Sequence, residues 1–552
     1  MPVKGVSVQG LGLGTARGAV PRARIAVYKV CWLRGGCGGD LTKAVNDAIM
    51  DGVDIVSASI SEAVSSPRLY IDTTWPSANF NAMRHGVLVS LTAGNKGPGL
   101  YRVANTEPWV MTVANSAGSG TDYETYVNLG DGKRFLVAGA NPHDTGKTMM
   151  PLALGSDVKL PGYNETSARG FTVCRPEEID PKLAQGKFIL CEAVMTVREI
   201  FDLVGCAGVL VRSAKPDDMF DQERGRYMSQ RRKAPVVILS QQDFQYLLAY
   251  YRNATSAGGV ATASIEKSVD APDSKPRAAT SSSRGPSKVD INILKPDISA
   301  PGVNVIAAMS GDFGPAYDMQ TGTSMSCPHA SGVAAYIKSF HPDWSPAFVK
   351  SAVMTTATPM VPSASNKVYE LAYGAGQINP LGALDPGLVY DLQEIDYVKY
   401  LCQWSNFNQS AILALSGVRD WECSKLPLEK GWTLNYPSFS IPGVPDQPFV
   451  SVFHRTLTNV GNPPTSNYKA IVSAPEGLEI IVEPSVLAFT QNLEKLSYTI
   501  TIKGLIKKGG DVLSAYLVWT DGRHSVRSPI IAFERPKDIE AIYEEQMEQP
   551  HG

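Results

Sequence analysis

The sequence lacks any apolar run of about 18 residues, the shortest stretch expected of a membrane-spanning helix, so no membrane segment is predicted. It also lacks a surplus of charge, since 51 basic and 53 acidic residues give a formal net charge of −2. A near-neutral chain gives no reason to expect nucleic acid or an anionic membrane as a partner. Residues 1–18 are rich in glycine without an apolar core, so they predict no secretory signal peptide.

Closely spaced cysteine and histidine clusters are absent as well, so the sequence predicts no zinc site, no other metal and no cofactor. Six of the eight cysteines instead fall into local pairs that are compatible with disulfide bonds. These pairs are Cys31 with Cys37, Cys174 with Cys191, and Cys402 with Cys423. Reduced, buried thiols are the alternative for each pair, and Cys206 and Cys327 are left over.

Glycosylation sequons of the form Asn-X-Ser/Thr begin at Asn164, Asn253 and Asn408. Together with the paired cysteines, they favour a secreted, extracellular protein. Because residues 1–18 offer no signal peptide, we expect sequence to be missing upstream of Met1.

Nucleotide-binding motifs are incomplete. The sequence at 146–148 (GKT) is like the end of a phosphate-binding loop, but Asn141 stands where that motif needs glycine. The sequence at 10–14 (GLGLG) is followed by Thr15, where a dinucleotide-binding fingerprint needs its third glycine. The sequence therefore predicts neither kind of nucleotide site.

Apolar runs and helical patterns alternate along the first part of the chain. The predicted strands cover residues 23–30, 53–60, 87–92 and 110–114, and the predicted helices cover 40–50 and 78–85. Such alternation implies right-handed crossovers and a parallel sheet, which makes the fold class α/β.

This pattern is interrupted from about residue 145 to 269 and then resumes. Residues 304–308 are predicted to form a strand, and residues 328–340 and 345–357 helices, the second capped by Ser345 with Pro346 at its first position. From residue 434 the pattern is all-β, and Asp521-Gly522 predicts a two-residue hairpin turn. The predicted division is 1–145 and 271–395 for the α/β domain, 146–270 for an inserted β-rich domain, 396–433 for a connecting segment, 434–535 for a C-terminal β domain and 536–552 for a tail.

Ser324 lies in a glycine-containing turn, within the sequence TGTSMSCPH at 321–329. The helix predicted to follow is rich in small residues, and its N-terminus offers unpaired backbone N–H groups suited to a developing oxyanion. A nucleophile at this place is the functional interpretation, and a Ser or Thr helix cap is the structural one.

Two further segments carry polar residues at strand ends. Asn95, in LTAGNKGP at 91–98, can donate an amide N–H to an oxyanion, or it can be an ordinary left-handed turn residue. Asp297 follows SSSRGP at 281–286 and lies in LKPDI at 294–298, where a turn-capping carboxylate is the simplest interpretation.

The three segments together resemble the subtilisin-like serine proteases, and in particular their plant, cucumisin-like branch. The resemblance covers nearly the whole chain. Further matching motifs are GTARG at 14–18, DGVDI at 51–55, HPDWSP at 341–346, DPGLVY at 385–390 and NYPS at 435–438. It implies a subtilisin-like catalytic domain, an inserted protease-associated domain and a C-terminal fibronectin-III-like β-sandwich.

The resemblance also implies roles for individual residues. Ser324 matches the nucleophile and Asn95 the oxyanion-hole asparagine of a serine endopeptidase whose partner is a polypeptide substrate. The implied substrate-binding residues are Ser57, Ser59, Ser61, Ala93, Gly94, Gly322 and Thr323. The sequence departs from the family at Ser61-Glu62, where glycine is usual. A side chain that narrows or charges the cleft is one interpretation, and a serine that the cleft tolerates is the other.

The family's catalytic aspartate and histidine have no match in this chain. In the family both precede the region where this chain begins, and the histidine lies in a His-Gly-Thr-His motif. None of the seven histidines has that surrounding. We therefore expect an inactive or incomplete protease, with a non-catalytic pseudoprotease that binds peptides or protein partners as the alternative.

Overall fold

The structure is a computed structural model, and two compact units are found in it. The residues it describes are 2–32, 37, 40–61, 74–118, 122–162, 173–175, 178–194, 205–212, 234–271, 275–309, 316–360, 368–403, 409–417, 423–426, 434–509 and 512–536. One unit contains residues 1–17, 117–280 and 302–321, and the other contains residues 18–116, 281–301 and 322–552. Among the described residues, no helix combines the length and apolarity needed to cross a bilayer.

Helices occur in both units. They are α1 Asp40–Met50, α2 Thr74–Arg84, α3 Pro181–Ala184, α4 Gln241–Ser256, α5 Thr323–Phe340, α6 Pro346–Thr355, α7 Glu370–Tyr373, α8 Glu394–Leu401 and α9 Gln409–Ser416. Short 3₁₀ helices cover Gly155–Val158, Gly382–Leu384 and Cys423–Lys425.

Strands make up most of the remaining regular structure. In chain order they are β1 Val3–Val8, β2 Leu11–Ala16, β3 Ile55–Ala58, β4 Leu88–Thr92, β5 Met111–Ala117, β6 Tyr123–Leu129, β7 Arg134–Ala138, β8 Met150–Leu154, β9 Val173–Cys174, β10 Phe188–Cys191, β11 Ala193–Val194, β12 Gly208–Arg212, β13 Val236–Leu239, β14 Thr262–Ile265, β15 Val269–Asp270, β16 Arg277–Ala278, β17 Ile298–Pro301, β18 Val305–Ala308, β19 Tyr317–Gln320, β20 Leu388–Tyr390, β21 Phe439–Gly443, β22 Pro448–Asn459, β23 Ser466–Ser473, β24 Leu478–Glu483, β25 Val486–Phe489, β26 Lys495–Leu505, β27 Leu513–Thr520 and β28 Ser525–Glu534.

The predicted parallel sheet is confirmed in the order β17-β5-β4-β3. All residues of β4 and β5 are buried, as expected for strands with neighbours on both sides and helices on the faces. Helix α5 crosses this sheet with alanines at its contact surface, and Ala330 and Ala334 are fully buried. Small side chains let the helix axis approach the strands closely.

The strand predicted at 23–30 is wrong. These residues form no strand, and Ile25 and Val27 remain 81% and 86% exposed. An apolar sequence becomes a buried strand only when neighbours supply hydrogen bonds and cover its faces. None of the strands in the described part of the chain pairs with this segment.

The second unit also contains a β-sandwich. One sheet has the order β20-β22-β26-β24 and the other the order β21-β28-β27-β23-β25. Their facing side chains form a core around Trp519, whose ring lies 5.0 Å from that of Tyr498. The predicted hairpin exists, but its loop covers residues 521–524, because Thr520 pairs with Ser525. Asp521 Oδ1 accepts the backbone N–H groups of Arg523 and His524 and closes the longer turn.

The first unit is built on a mixed sheet in the order β13-β12-β10-β8-β14-β6-β15, with β7 beside β6. Strands β6 and β7 precede the predicted boundary at residue 146 and yet pair within the same sheet as the strands after it. The strand expected to resume the parallel sheet at 304–308 instead forms an antiparallel hairpin, β18 with β19. The division into domains and the protease-associated character of residues 146–270 stay predictions.

The three predicted cysteine pairs are disulfide-bonded. They are Cys31–Cys37, Cys174–Cys191 and Cys402–Cys423. Cys206 and Cys327 lie buried outside these bonds.

Candidate active site

Gly322 precedes α5 and allows Asn95 to approach the helix end. Its φ of 155° is one that side-chain-bearing residues rarely adopt. A Cβ atom built on Gly322 would also lie 3.2 Å from Asn95 Nδ2, closer than an ordinary van der Waals contact. The turn therefore requires glycine for its conformation and for the space beside Asn95.

Ser324 is the second residue of α5 and is half-buried. The helix begins five residues before the position predicted from sequence, so Ser324 lies in its first turn. Gly322, not Ser324, takes the N-cap position, and as a glycine it has no side chain with which to cap the helix. The backbone N–H of Ser324 is consequently among those that the helix leaves without an internal acceptor. The structural interpretation of Ser324 as a helix cap is wrong.

Ser59, in the segment after β3, binds the carbonyl oxygen of Ser324. Pro328 lies inside α5 and has no N–H to donate to the carbonyl four residues earlier, which is that of Ser324. Ser59 Oγ donates a 2.8 Å hydrogen bond to this oxygen instead. The hydroxyl thereby replaces the helix bond that Pro328 removes and ties the backbone of Ser324 to the end of β3.

Asn95 is exposed and faces the start of α5 through its side-chain amide. Its Oδ1 accepts the backbone N–H of Thr323 and the Thr323 hydroxyl, both at 2.9 Å. Because a backbone N–H can only donate, the side-chain atom of Asn95 that faces the Thr323 N–H must be the oxygen Oδ1. The nitrogen Nδ2 is then the atom that does not take part in this contact. No described residue accepts a hydrogen bond from Nδ2, so this donor is available to a ligand.

Gly94, rather than Asn95, has the left-handed conformation of this turn, with φ of 92°. A Cβ on Gly94 would lie 3.0 Å from Ser283 Oγ, and the Ser283 N–H donates to the Gly94 carbonyl. Ser283 Oγ also accepts the N–H of Lys96 at 3.0 Å. The segment 281–286 is therefore the support on which the Asn95 turn rests. Ala93, just before this turn, is fully buried.

Ser57 and Ser59, at and just after the end of β3, are hydrogen-bonded to residues of α5. Ser57 Oγ accepts a 2.7 Å hydrogen bond from Ser331 Oγ, and Ser59 binds Ser324 as described. Ser61 is exposed, and Glu62 lies outside the described residues. Thus two of the three serines contact the helix, while the assignment of all three to substrate binding stays a prediction.

The chain matches the model of the subtilase family over residues 5–376 and that of a fibronectin type-III domain over residues 433–532. Two subtilisin-like proteases of Arabidopsis thaliana are similar to it over most of its length. SBT4.3 is 40% identical over 96% of this chain and 71% of the relative, and SBT4.14 is 38% identical over 97% and 70%.

The chain belongs to the subtilase family.

This subtilase contains a charged cluster beside β5 that the sequence did not reveal. Asp297, expected to cap a turn, is fully buried instead. Its Oδ2 accepts Lys295 Nζ and the N–H of Thr112, each at 2.7 Å, and lies 3.3 Å from Lys350 Nζ. Its Oδ1 accepts the hydroxyl of Tyr436. The turn-cap interpretation is therefore wrong, since Asp297 is bound by residues distant in the chain.

The ionisation of this cluster follows from its burial. Burial alone would raise the pKa of Asp297, but Lys295 and Lys350 outweigh it and hold that pKa below its usual value. Burial also lowers the pKa of Lys350 well below its ordinary range, against the attraction of Asp297. Lys350 compensates with hydrogen bonds to the carbonyls of Pro108 and Val110.

Cys327 lies one helical turn after Ser324 but is not a second nucleophile. Its Sγ donates to the carbonyl of Ser90 at 3.2 Å and is completely buried. Burial raises the pKa of the Cys327 thiol, so the reactive thiolate is disfavoured.

The histidines described in this unit have other partners. The hydrogen-bonded pairs, as ring atom and partner, are His85 Nδ1 with the Asn81 carbonyl, His329 Nδ1 with the Met325 carbonyl, His341 Nε2 with the Leu384 carbonyl, His454 Nδ1 with Thr499 Oγ1 and His524 Nδ1 with Asp521 Oδ2. None of these five is hydrogen-bonded to Ser324. His143 belongs to the other unit, and His551 lies outside the described residues.

Proposed function

We propose that the chain carries the nucleophile and the oxyanion site of a subtilisin-type serine endopeptidase and takes a polypeptide as substrate. The supporting observation is the arrangement of Ser324 at the start of α5 with Asn95 locked beside it through Thr323. In this proposal, the Ser324 N–H and Asn95 Nδ2 are the two donors beside the serine hydroxyl. Preorganised donors of this kind stabilise charge that develops in acyl transfer.

In this proposal, Ser324 Oγ attacks the carbonyl carbon of a peptide bond. The carbonyl oxygen, which becomes negatively charged, accepts hydrogen bonds from the Ser324 N–H and from Asn95 Nδ2. Residues 57–61 and 93–95 form the two sides of the substrate cleft, together with Gly322 and Thr323. No metal or cofactor takes part.

The hydroxyl proton of Ser324 needs a base, which in this family is a histidine oriented by an aspartate. No histidine described in the same unit is bonded to Ser324, and none has the family's histidine motif. In subtilisin itself, loss of the histidine lowers kcat by about 10⁶-fold, equivalent to roughly 8 kcal/mol of barrier. We therefore propose that this chain alone hydrolyses peptides very slowly.

A fluorophosphonate probe tests the state of Ser324, because it reacts with activated serine hydroxyls. Wild type, Ser324→Ala and an active subtilisin are labelled at equal concentration and compared by intact mass. We expect wild type to be labelled no faster than Ser324→Ala. Labelling of wild type at a rate comparable with the active enzyme would show that an activating base is present and that our proposal of inertness is wrong.

The second candidate is a non-catalytic protein that binds peptides or partners through the same cleft. It is favoured because each of the five histidines described above is hydrogen-bonded to a residue other than Ser324. Fluorescence anisotropy with labelled extended peptides tests it: wild type and Ser324→Ala bind equally and leave the peptide uncut. A His-Gly-Thr-His segment upstream in the native transcript would support the protease instead, whereas a mature secreted protein starting near Met1 would support the binding protein.

We also propose that this protein is extracellular. Three disulfides favour an oxidising compartment. Of the proposed glycosylation sites, Asn253 is exposed on α4, and Asn164 and Asn408 lie outside the described residues. Expression through a eukaryotic secretory pathway, followed by glycosidase treatment, is expected to lower the mass of the wild type and to lower it less for Asn253→Gln. An unchanged mass would reject glycosylation.

A further inference from the structure

Asn105 has an unusual backbone conformation between β4 and β5. It is completely buried, and its φ is 52°, in the left-handed region. Asparagine enters this region more readily than most residues, but the conformation persists only where surrounding contacts hold it. Such backbone outliers cluster at functional sites, so the contacts of Asn105 are informative.

The Asn105 side chain joins the ends of two neighbouring strands. Its Nδ2 donates to the carbonyl of Ile60 at 2.9 Å and to that of Thr92 at 2.8 Å. Thr92 Oγ1 donates to the same Ile60 carbonyl at 3.1 Å. The backbone pairing of β3 with β4 ends at Ala58 and Leu91. Asn105 therefore connects the two strands just beyond their last backbone pair.

The position of Asn105 is held from the other side by β5. Thr112 Oγ1 donates to the Asn105 carbonyl at 2.5 Å, and it accepts Lys295 Nζ at 2.9 Å. The Thr112 N–H is in turn bound by Asp297. The loop containing Asn105 is thus attached to the buried charged cluster, which explains how its backbone conformation is maintained.

We propose that Asn105 is a positioning residue that sets the spacing of the substrate cleft. The two segments it joins continue directly into residues 59–61 and 93–95, which lie on the two sides of that cleft. This inference rests on the proposed function, because it assumes that a peptide occupies the space between these segments. Loss of the two hydrogen bonds that Asn105 Nδ2 donates is expected to let Ile60 move away from Thr92 and to widen the cleft.

Asn105→Asp is the decisive substitution. It keeps the shape and tolerates a positive φ, but it replaces the two donated hydrogen bonds by repulsion between a carboxylate and two carbonyls. Asn105→Gly removes the side chain without straining the backbone. The matched control is Asn459→Asp, because Asn459 is also fully buried and donates from Nδ2 to two carbonyls, those of Pro464 and Gln491, within the β-sandwich.

Two measurements are made on the full chain: hydrogen exchange and the Kd for labelled extended peptides with small or large side chains. For both Asn105 variants we expect faster exchange confined to residues 58–61 and 92–95. The Kd is expected to rise about tenfold, the effect of roughly one hydrogen bond, and unequally for the two peptides. Asn459→Asp is expected to lower the melting temperature and to leave Kd and peptide preference unchanged.

Unchanged peptide affinity and preference in both Asn105 variants would overturn the inference. An equal loss of affinity in Asn105→Asp and Asn459→Asp would overturn it too, because that result indicates general destabilisation. If wild type binds no peptide while Asn105→Asp still loosens residues 58–61, the proposed peptide site has failed, and the cleft role of Asn105 is rejected with it.

Discussion

Two regions of the second unit, the strands β4 and β5 on the one hand and β3 with residues 23–30 on the other, differ in how completely their groups are partnered. At β4 and β5 every strand residue is buried, and even the buried Asp297 carboxylate beside them is bound by Lys295 and by the N–H of Thr112. At β3 and residues 23–30 the sequence is equally apolar, but much of it is exposed to water. The difference shows that apolar composition creates a core only where neighbouring elements complete the pairing and the packing.

Charged substitutions in the two apolar segments give the largest expected contrast. Leu91→Asp places a carboxylate at a fully buried position of β4 and is expected to cost more than ~4 kcal/mol of unfolding free energy. Val27→Asp changes an 86% exposed side chain and is expected to stay within about 0.5 kcal/mol. Urea unfolding followed by fluorescence measures both. A large loss for Val27→Asp would mean that residues 23–30 are buried in solution, which would break the comparison.

Replacing a carboxylate by alanine compares a buried charged group with an exposed one. Asp297→Ala leaves Lys295 and Lys350 buried without their carboxylate, and we expect a loss of about 3–5 kcal/mol. Asp51→Ala removes only an exposed hydrogen bond from Tyr28, and we expect less than about 0.5 kcal/mol. Denaturant titration at neutral pH checks the pair. Similar losses for the two variants would contradict the importance of burial.

Glu370 sharpens the comparison, since it is a buried carboxylate with which no lysine in the described part of the chain forms an ion pair. Burial raises the pKa of Glu370 to about 7, although Ser514 donates a hydrogen bond to it. A raised carboxyl pKa means that the folded state holds the proton more tightly. The stabilisation is therefore complete below the unfolded value of about 4.3 and is lost as pH rises through 7.

We thus expect the unfolding free energy of wild type to fall between pH 5 and 8, and Glu370→Gln to reduce that fall. Glu479→Gln, at an exposed position, serves as the control and should keep the wild-type profile. Melting temperatures measured across this range decide the matter. A Glu370→Gln profile parallel to that of wild type would contradict the raised pKa.

The smallest effect concerns the hydrogen bond from Ser59, just after β3, to the carbonyl of Ser324 in α5. Ser59→Ala is expected to cost ~1 kcal/mol, because it leaves the Ser324 carbonyl without its donor. Pro328→Ala supplies the missing helix N–H, so the same Ser59→Ala change should cost close to nothing in that background. A double-mutant cycle of unfolding free energies measures this coupling. Additive effects would show that Ser59 does not replace the helix bond.

Much of the fold was predictable because its signals are local. Helix α1 was predicted with its observed bounds, and α6 begins after the predicted cap Ser345, whose hydroxyl oxygen accepts the N–H of Phe348. The parallel sheet followed from alternation of strands and helices. By contrast, residues 23–30 have the sequence pattern of a strand but no described strand pairs with them. The hairpin loop is longer than predicted because Asp521 binds two backbone N–H groups.

The candidate site was only partly predictable. Ser324 and Asn95 stand in recognisable motifs, so their family positions could be assigned without coordinates. Asn105 carries no such motif, because its importance arises from contacts with carbonyls 45 and 13 residues away. The role of Asp297 depends likewise on Tyr436, which follows it by 139 residues.

The sequence by itself determined the family, the predicted identity of the nucleophile and the local elements around it, since these depend on motifs and short-range periodicity. Tertiary structure alone decided which apolar segments are buried, which carboxylates are paired, and which hydroxyl replaces the helix hydrogen bond lost at Pro328. The physical reason is that burial and hydrogen-bond satisfaction depend on partners brought together by the fold. Ser59 and Ser324 are 265 residues apart in the chain, and only folding places them at 2.8 Å.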